Sequence, residues 1–324
     1  MVEKPFPILF ITSASIGEAV IASGLIKRLI DEIPNARFTL ATSRAAAPLF
    51  AQTPNLDAVI VVPEPSAWFT VWRQTQGRRW GLIVDLSGER LSRFLNARKR
   101  AIRRHGSSDA GVHKVLEAAR LLRVEEDPPP PYLFTSEEVE AAAAAHLGKG
   151  GPILAIAPAA EWVGKTWPAE RFASTAGRLL APRGPLSNGR LMIVDEAADR
   201  EAGQALRLAV SRDRIIGTPG QLDPLTTYAC LKRVRLFIGN DTGMMHLAAA
   251  AGAPTLGLFG PTDETLNGPW GPNARALRGP RDIETIRRVD PQLSQAVCHM
   301  LDLRVESVLA AAVRLLTETE PADA

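Results

Sequence analysis

The sequence predicts an α/β protein made of two doubly wound parallel-sheet domains. Short apolar or β-branched runs alternate with helical segments along the chain, as expected for parallel strands joined by helical crossovers. The alternation stops at a stretch rich in glycine and proline, residues 148–152, and then starts again. A chain of 324 residues is also long enough for two domains with separate cores. We therefore expect two Rossmann-like domains, residues 1–150 and 151–324, facing a cleft.

The first half is predicted to hold four short strands and two helices. The first helix spans about residues 17–33, because apolar residues recur there at spacings of three and four and Pro34 ends it. The second helix contains the alanine run of residues 141–145. The predicted strands are residues 8–12, 38–42, 58–62 and 82–86.

The second half repeats this alternation. One helix is predicted to begin at Pro168, where the missing N–H of proline costs nothing, and another to span residues 197–210. A third, rich in alanine, follows Gly243. The predicted strands are residues 153–157, 191–195, 234–238 and 254–259, with a short one at Ile215.

The composition is that of an ordinary globular enzyme, with 46% hydrophobic and 23% charged residues. The two cysteines, Cys230 and Cys298, have neither metal-binding nor redox spacing, which fits a reducing compartment. The N-terminus lacks the uninterrupted apolar run of a signal peptide, and no apolar stretch of about 18 residues is free of charge. We therefore expect a cytoplasmic protein without a membrane span.

An anion-binding turn is predicted where the strand at residues 234–238 ends. This strand continues into Gly-Asn-Asp-Thr-Gly, residues 239–243, and a helix follows. Several backbone N–H groups and one hydroxyl then face one point at the helix N-terminus, whose partial positive charge favours a phosphate or diphosphate. An ordinary N-cap, with Asp241 or Thr242 as the capping residue, is the alternative. A second polar loop, residues 260–263, ends the next strand, so both loops lie where open α/β sheets bind ligands.

Residues 241–262 read D-T-G-M-x-H-L-A-A-A-x-G-x-P-x-x-x-L-F-G-P-T. This string resembles the donor-site signature of glycosyltransferase family nine, the bacterial heptosyltransferases that build the lipopolysaccharide core. The resemblance implies the two-domain GT-B architecture, in which the last helix, about residues 305–317, packs back on the first domain. For His246, one turn after Thr242, a donor contact and a capping or packing role both stay open. The resemblance also implies that the donor diphosphate is bound by Asp241, Thr242, Gly243 and Met244.

A carboxylate is predicted at the carboxyl edge of the first strand. Residues 8–12 lead directly into Ser-Ala-Ser-Ile-Gly-Glu, residues 13–18, which places Glu18 on the first turn of the first helix. A glutamate there is ionised at neutral pH and can accept a proton from a sugar hydroxyl. A helix-start acid that complements the helix dipole is the alternative role.

The resemblance favours the catalytic role for this glutamate. Family members read like S-x-G-D here, with the aspartate as catalytic base, and Glu18 is the residue that aligns with it. Ser13, Ser15 and Gly17 would then form the loop near the acceptor. Glutamate is longer by one methylene, and about 1 Å of misplacement can lower a rate about 100-fold. We expect the backbone or the acceptor to be adjusted to the longer side chain.

The resemblance also assigns a cation to the donor site. Residues 158–168 resemble the family's P-x-x-x-x-x-x-K-x-W-P, in which Lys165 precedes a helix and can reach a diphosphate as a point charge. An exposed loop lysine is the alternative. Asp199 is the best match to the family's ribose-binding acid, although the usual glycines before it are replaced here. Cys-His-Met at residues 298–300 resembles a Cys-Met pair of the family.

Taken together, the resemblance implies an inverting glycosyltransferase that needs no metal. ADP-heptose would be the co-substrate, no other cofactor is expected, and the acceptor would be a lipopolysaccharide-core or related anionic glycolipid. Glu18 would deprotonate the acceptor hydroxyl. The departing diphosphate would be stabilised by Lys165, by the N–H groups after Asp241 and by His246.

Other functions stay open at this point. One is a non-catalytic nucleotide-sugar-binding or assembly protein, and another is a nucleotide-sugar epimerase of the same architecture. A nicotinamide-dependent dehydrogenase is not expected, because neither domain opens with G-x-G-x-x-G after its first strand.

Positive charge is concentrated in residues 73–104, which contain ten lysines or arginines against two acids, Asp85 and Glu89. An anionic acceptor and the negative inner leaflet of the cytoplasmic membrane both fit this segment, and a solvated helix face is the alternative. A nucleic-acid partner would also fit this segment, but no other feature of the sequence favours one, and none is expected. We expect peripheral contact with the inner face of the cytoplasmic membrane.

Overall fold

The computed structural model describes residues 4–12, 15–62, 68–88, 91–103, 111–194, 202–217, 222–293 and 297–319. The chain divides into two compact units, Met1–Ser136 and Glu137–Ala324. In the described residues each unit is built on one sheet, and all strand pairs within it are parallel. The predicted α/β class with two parallel-sheet domains is confirmed.

The first unit contains a five-stranded sheet. Its strands are β1 (Phe6–Ile11), β2 (Ala36–Ser43), β3 (Leu56–Val62), β4 (Trp80–Asp85) and β5 (Ala97–Ile102). Its helices are α1 (Ile16–Glu32), α2 (Trp68–Thr75) and α3 (Lys114–Arg120). The strand order is β3-β2-β1-β4-β5, so the order reverses between β1 and β4. In open α/β sheets, ligands bind at the carboxyl ends of strands beside such a reversal.

Helix α1 is fixed at its start and along one side. The hydroxyl of Ser15, its N-cap residue, accepts a hydrogen bond from the backbone N–H of Glu18 at 3.2 Å. Further along, Ser23 accepts a hydrogen bond from the backbone N–H of Tyr132 at 2.9 Å. Next to it, Gly24 lies against the backbone of residues 129–130. These contacts hold Glu18 in place just after the carboxyl end of β1.

The second unit contains a six-stranded sheet in the order β11-β10-β9-β6-β7-β8. Its strands are β6 (Ile153–Ala157), β7 (Arg190–Ile193), β8 (Ile215–Ile216), β9 (Leu236–Asn240), β10 (Thr255–Phe259) and β11 (Ala274–Arg278). Its helices are α4 (Glu137–Leu147), α5 (Ala169–Leu179), α6 (Gln204–Ala209), α7 (Pro224–Leu231), α8 (Gly243–Ala250), α9 (Glu264–Asn267), α10 (Ile283–Val289) and α11 (Val305–Glu318). The order reverses between β6 and β9, which places the loops after both strands at one ligand-binding edge.

Two helices at the ends of the second unit pack within it. Helix α4 packs on α7, and the second unit therefore begins at Glu137, before the glycine-rich stretch at which the sequence predicts the boundary. Helix α11 packs on α5 and beside β9, β10 and β11. Its buried residues Val308, Ala312 and Leu315 belong to the hydrophobic core that surrounds Trp167.

Differences between predicted and observed elements have local causes. The sequence does not predict β5 and β11, because both are edge strands whose sequences, ARKRAI and ARALR, interrupt the apolar pattern with arginine. Helix α5 begins at Ala169, with Pro168 as its N-cap residue. The helix predicted at residues 197–210 is represented by the shorter α6, and residues 195–201 lie outside the described residues. None of the helices in the described ranges has both the length and the hydrophobicity to cross a bilayer.

Two helical glycines provide a matched test of this packing. A Cβ added at Gly24 would lie 2.5 Å from the carbonyl oxygens of Pro129 and Pro130, so we expect Gly24→Ala to cost about 1–3 kcal/mol of unfolding free energy. At Gly177 in α5 a Cβ meets no atom within 4 Å, and Gly177→Ala should gain about 1 kcal/mol of helix propensity. Chemical denaturation measures both. Equal effects of the two substitutions would contradict the packing of α1.

Candidate active site

The predicted anion-binding turn lies at the start of α8. Strand β9 ends at Asn240, and Thr242 is the N-cap residue of α8. Within the described residues, the Thr242 side chain makes no capping hydrogen bond, unlike that of an ordinary N-cap threonine. Thr242 and Gly243 are half-buried, whereas Met244 and His246 are buried. The half-buried residues at the start of α8, where backbone N–H groups have no partner within the helix, are therefore Thr242 and Gly243.

Asn240 connects this turn to the loop after β6. Its side chain is fully buried, and its Oδ1 accepts a hydrogen bond from the backbone N–H of Trp167 at 3.0 Å. Its Nδ2 donates to the carbonyl oxygens of Pro158 at 2.8 Å and Ala159 at 3.4 Å. The amide thus binds both ends of the loop that carries Lys165. The sequence analysis did not single out Asn240, although an amide inside a buried strand is the signal that could have identified it.

Lys165 lies in a 3-10 turn, Val163–Lys165, of that loop. Only 13% of its side chain is exposed, and its Nζ lies 2.5 Å from a carboxylate oxygen of Glu161, whose own side chain is 62% exposed. Lys165 is therefore not the exposed loop lysine of the alternative interpretation. Its ammonium group is mostly enclosed and is paired with a carboxylate that solvent or a ligand can reach.

The aromatic residue of the Lys-x-Trp-Pro sequence anchors the loop rather than facing a ligand. Trp167 is fully buried, and its ring packs edge-on against Phe172 with 4.8 Å between ring centroids. Its Nε1 donates to the carbonyl oxygen of Leu303 at 2.9 Å. This anchoring fixes the position of Lys165 two residues earlier.

The Cys-His-Met segment, residues 298–300, supports the same loop from its other side. The thiol of Cys298 donates to the carbonyl oxygen of Thr166 at 3.3 Å, and the backbone N–H of His299 donates to the carbonyl oxygen of Gly164 at 3.1 Å. The ring of His299 is itself held by Asp290, with 3.1 Å between Nε2 and Oδ2. The segment therefore has a structural role beside the candidate donor site.

Arg278, the last residue of β11, fixes the loop after β10. Its Nε lies 2.9 Å from both carboxylate oxygens of Glu264, and its other nitrogens donate to the carbonyl oxygens of Gly260 and Thr262. Hydrogen bonding to this guanidinium holds the pKa of Glu264 below its usual value. The sequence analysis missed Arg278 because it did not predict β11.

In the first unit, Glu18 lies on the first turn of α1, as predicted, and has a cationic neighbour. The Nζ of Lys114, the first residue of α3, lies 3.5 Å from its Oε1, and both side chains are about one-third exposed. Ser15 is exposed and Gly17 is buried, whereas Ser13 lies outside the described residues. Glu18 is therefore more than a helix-start acid, because its carboxylate makes an ion pair with a second helix.

A small cavity borders this ion pair. Its volume of about 20 Å³ is enough for one water molecule. A second pair, Arg103 with Glu117 at 2.7 Å, lies on its wall. Because Glu18 follows β1 and Leu86 follows β4, the cavity lies at the reversal of strand order. It is lined by Glu18, Ile21, Leu86, Arg103, Lys114, Glu117, Ala118 and Leu121.

A larger cavity, of about 560 Å³, lies at the opposite, amino-terminal edge of the second sheet. Three arginines on its wall donate to carbonyl oxygens at the ends of three helices: Arg190 to Leu147 of α4, Arg233 to Ala229 of α7 and Arg235 to Leu316 of α11. Cations at helix C-termini stabilise the helices. These arginines therefore have a structural role far from the ligand-binding edge.

Among the other predicted site residues, Asp199 lies outside the described residues. In the part of the chain that the structure describes, no group of three or more His, Cys, Asp or Glu side chains is arranged to hold a metal ion.

Several known proteins are similar to this chain in sequence. Residues 54–294 match the model of glycosyltransferase family 9 (heptosyltransferase). The chain is 26% identical over 302 residues to lipopolysaccharide heptosyltransferase 1 of Pseudomonas aeruginosa, which covers 82% of this chain and 81% of that protein. It is 27% identical over 147 residues to lipopolysaccharide heptosyltransferase 2 of Escherichia coli. That match covers 43% of this chain and spans only 40% of the relative's length.

Solved structures share the fold along nearly the whole chain. A family 9 glycosyl transferase from Veillonella parvula has a TM-score of 0.78 at 19% identity, covering 98% of this chain and 99% of that one. The E. coli ADP-heptose lipopolysaccharide heptosyltransferase II has a TM-score of 0.74 at 19% identity, covering 96% and 99%. The family match includes Lys165 and the Asp241 turn and begins after Glu18.

The contacts of Arg278 can be tested by two substitutions. Arg278→Met removes the ion pair and the bonds to two carbonyl oxygens, and we expect it to cost about 2–3 kcal/mol at pH 7. Glu264→Gln removes only the ion pair and should cost less. Because the folded-state pKa of Glu264 is lowered, the carboxylate stabilises the fold above the unfolded pKa of about 4.5. The difference between wild type and Glu264→Gln should therefore shrink as the pH falls below this value and vanish below the lowered folded-state pKa, as measured by denaturant unfolding. A difference independent of pH would contradict the ion pair.

Proposed function

From the premise that the chain belongs to glycosyltransferase family 9, we propose that it transfers heptose from ADP-heptose to a lipopolysaccharide-core or related glycan, with inversion at the anomeric carbon. The observation that carries the proposal is that an enclosed Lys165 and the N-terminus of α8 both lie at the carboxyl-terminal edge of the second sheet. Solved structures of the E. coli heptosyltransferase contain ADP and ADP-2-deoxy-2-fluoro heptose, which supports this choice of donor.

The second unit would hold the donor through its diphosphate. As the bond between the anomeric carbon and the diphosphate oxygen breaks, its electron pair leaves with the diphosphate and negative charge grows there. Lys165 and the N–H groups at Thr242 and Gly243 stabilise this charge because they are positioned before the reaction. Because Lys165 and these N–H groups supply positive charge themselves, we propose that the transfer needs no metal ion. Contacts of His246 with the donor and of Asp199 with its ribose stay predictions.

The first unit would supply the base. The acceptor hydroxyl gives its proton to the Glu18 carboxylate while its oxygen attacks the anomeric carbon from the face opposite the diphosphate. Lys114 contacts the end of this carboxylate at 3.5 Å. The ion pair gives this carboxylate, on a side chain one methylene longer than aspartate, a partner that fixes its position. The expected adjustment of the backbone or of the acceptor stays a prediction.

The acceptor is proposed to be an anionic glycolipid at the inner face of the cytoplasmic membrane. The basic segment of residues 73–104 supports this, because its described residues carry exposed cations on α2 and on the edge strand β5. Each basic residue near an anionic membrane surface contributes about 1 kcal/mol. The protein would then work as a cytoplasmic enzyme with peripheral membrane contact.

Substitution of Glu18 tests the base. Glu18→Gln keeps the size of the side chain but cannot accept the proton, and we expect kcat to fall about 10²–10⁴-fold with ADP-heptose and a core acceptor. Glu117→Gln is the matched control, because Glu117 lines the same cavity and pairs with Arg103. It should leave kcat within a few-fold. Unchanged turnover in Glu18→Gln would favour the non-catalytic nucleotide-sugar-binding protein.

Calorimetric titration with ADP, UDP, GDP and dTDP tests the donor site, and we expect preference for ADP. Lys165→Met should weaken ADP binding about 10–100-fold, since a hydrogen bond to a charged group contributes about 1.5–3 kcal/mol. Lys149→Met, at an exposed loop lysine, is the control and should have no effect. Glu161→Gln should strengthen ADP binding a few-fold, because Glu161 competes for the Lys165 ammonium. Absence of binding to all four nucleotides contradicts the proposed function.

A further inference from the structure

Two phenylalanine rings project from the layer that covers one face of the first sheet. Phe69 on α2 is 59% exposed, and Phe94 at the end of the 3-10 turn Leu91–Phe94 is 76% exposed. Helix α2 contacts this turn, and the buried residues Val71 of α2 and Leu95, directly after the turn, belong to one hydrophobic cluster beneath them. The two rings therefore lie on the outer surface of a single packed layer.

The exposure of these rings follows from how the layer is anchored. Val71 faces the sheet, which directs Phe69 outward, and the ring of Phe69 stacks on Trp72 with 5.3 Å between centroids. Ser92 and Leu95 are buried on either side of Phe94, so the short turn leaves its ring outside. Exposed aromatic rings that neighbouring residues hold outward indicate an interaction surface rather than an incompletely packed core.

Positive charge surrounds the two rings. Arg73 lies one helical turn after Phe69, and Arg93 lies next to Phe94; both side chains are exposed. Of the exposed cations on the edge strand β5, Arg100 lies on the face that α2 covers, because it pairs with Ile83 of the same hydrophobic cluster and donates to the carbonyl oxygen of Leu95. Within the described residues 68–88 and 91–103 the sole acid is Asp85, which is fully buried. Charges on an edge strand also prevent pairing with other chains, but they do not account for the phenylalanines.

From this combination we infer that the Phe69/Phe94 surface, with Arg73, Arg93 and Arg100, docks on a lipid bilayer that contains anionic phospholipids. Aromatic rings enter the boundary between headgroups and acyl chains, while neighbouring cations stay near the lipid phosphates. An acidic protein would be bound by the cations alone, without a need for two projecting rings. The inference rests on the proposed function only in that a lipid-linked acceptor gives such docking a purpose.

Co-sedimentation with vesicles tests the surface without donor or acceptor. Vesicles of phosphatidylcholine alone are compared with vesicles that also contain phosphatidylglycerol. We expect binding to the anionic vesicles and little to the neutral ones, with the affinity falling as salt is added. Phe69→Ser and Phe94→Ser should each weaken binding about tenfold, and a triple change of Arg73, Arg93 and Arg100 to serine should weaken it about fivefold for each charge removed.

Matched controls lie in the second unit. Leu208→Ser removes an apolar side chain that is 82% exposed on α6, and a triple change of Arg212, Arg287 and Arg288 to serine removes the same net charge from other exposed positions. Both should bind vesicles like wild type. ADP titration of every variant should be unchanged, which shows that the donor site is intact and separates failure of this inference from failure of the proposed function.

Three outcomes would overturn the inference. One is equal binding to neutral and anionic vesicles, or binding to neither. Another is a loss of vesicle binding in the Leu208 control that is as large as the loss in the two phenylalanine variants. The third is binding to a soluble polyanion such as poly-aspartate without binding to vesicles, which would identify an acidic macromolecule as the partner.

Discussion

The donor side of the candidate site depends on one buried amide, that of Asn240. Burial of a polar side chain without partners costs several kcal/mol, and Asn240 avoids this by bonding three backbone groups of the loop after β6. The same bonds tie that loop to the end of β9. Lys165 and the Asp241 turn, which come from different strands, are therefore held as one unit. Trp167 and the Cys298–Met300 segment strengthen this link, but the amide joins the two parts directly.

Much of the second unit could be predicted from sequence, because its ligand-binding edge has a local signal. The Asp241 turn and the loop at residues 260–263 each follow an apolar strand directly, and parallel strands bring such loops together. Contacts between distant segments leave no such signal. The partners of Asn240 lie about eighty residues earlier in the chain, and Arg278 lies on an edge strand whose sequence does not read as one.

In the first unit the same limit applies. The position of Glu18 after β1 is readable, because Ser15 caps a helix that starts there. Its ion pair with Lys114 is not readable, since it arises from the packing of α1 on α3. The basic segment shows its charge in the sequence, but only the structure separates the buried Val71 and Leu95 from the exposed rings beside them. Likewise, the start of the second unit follows from the packing of α4 on α7.

The carboxylate of Glu161 gives the candidate donor site a resident counter-ion. An anion that binds Lys165 in the proposed donor site competes with this carboxylate, so a ligand with a single negative charge gains little by replacing it. A diphosphate brings more negative charge than the carboxylate it replaces and so gains from the exchange. If the proposed donor site is correct, the pair would select by charge, favouring nucleoside diphosphates over chloride and single carboxylates before any contact with the base or sugar is made.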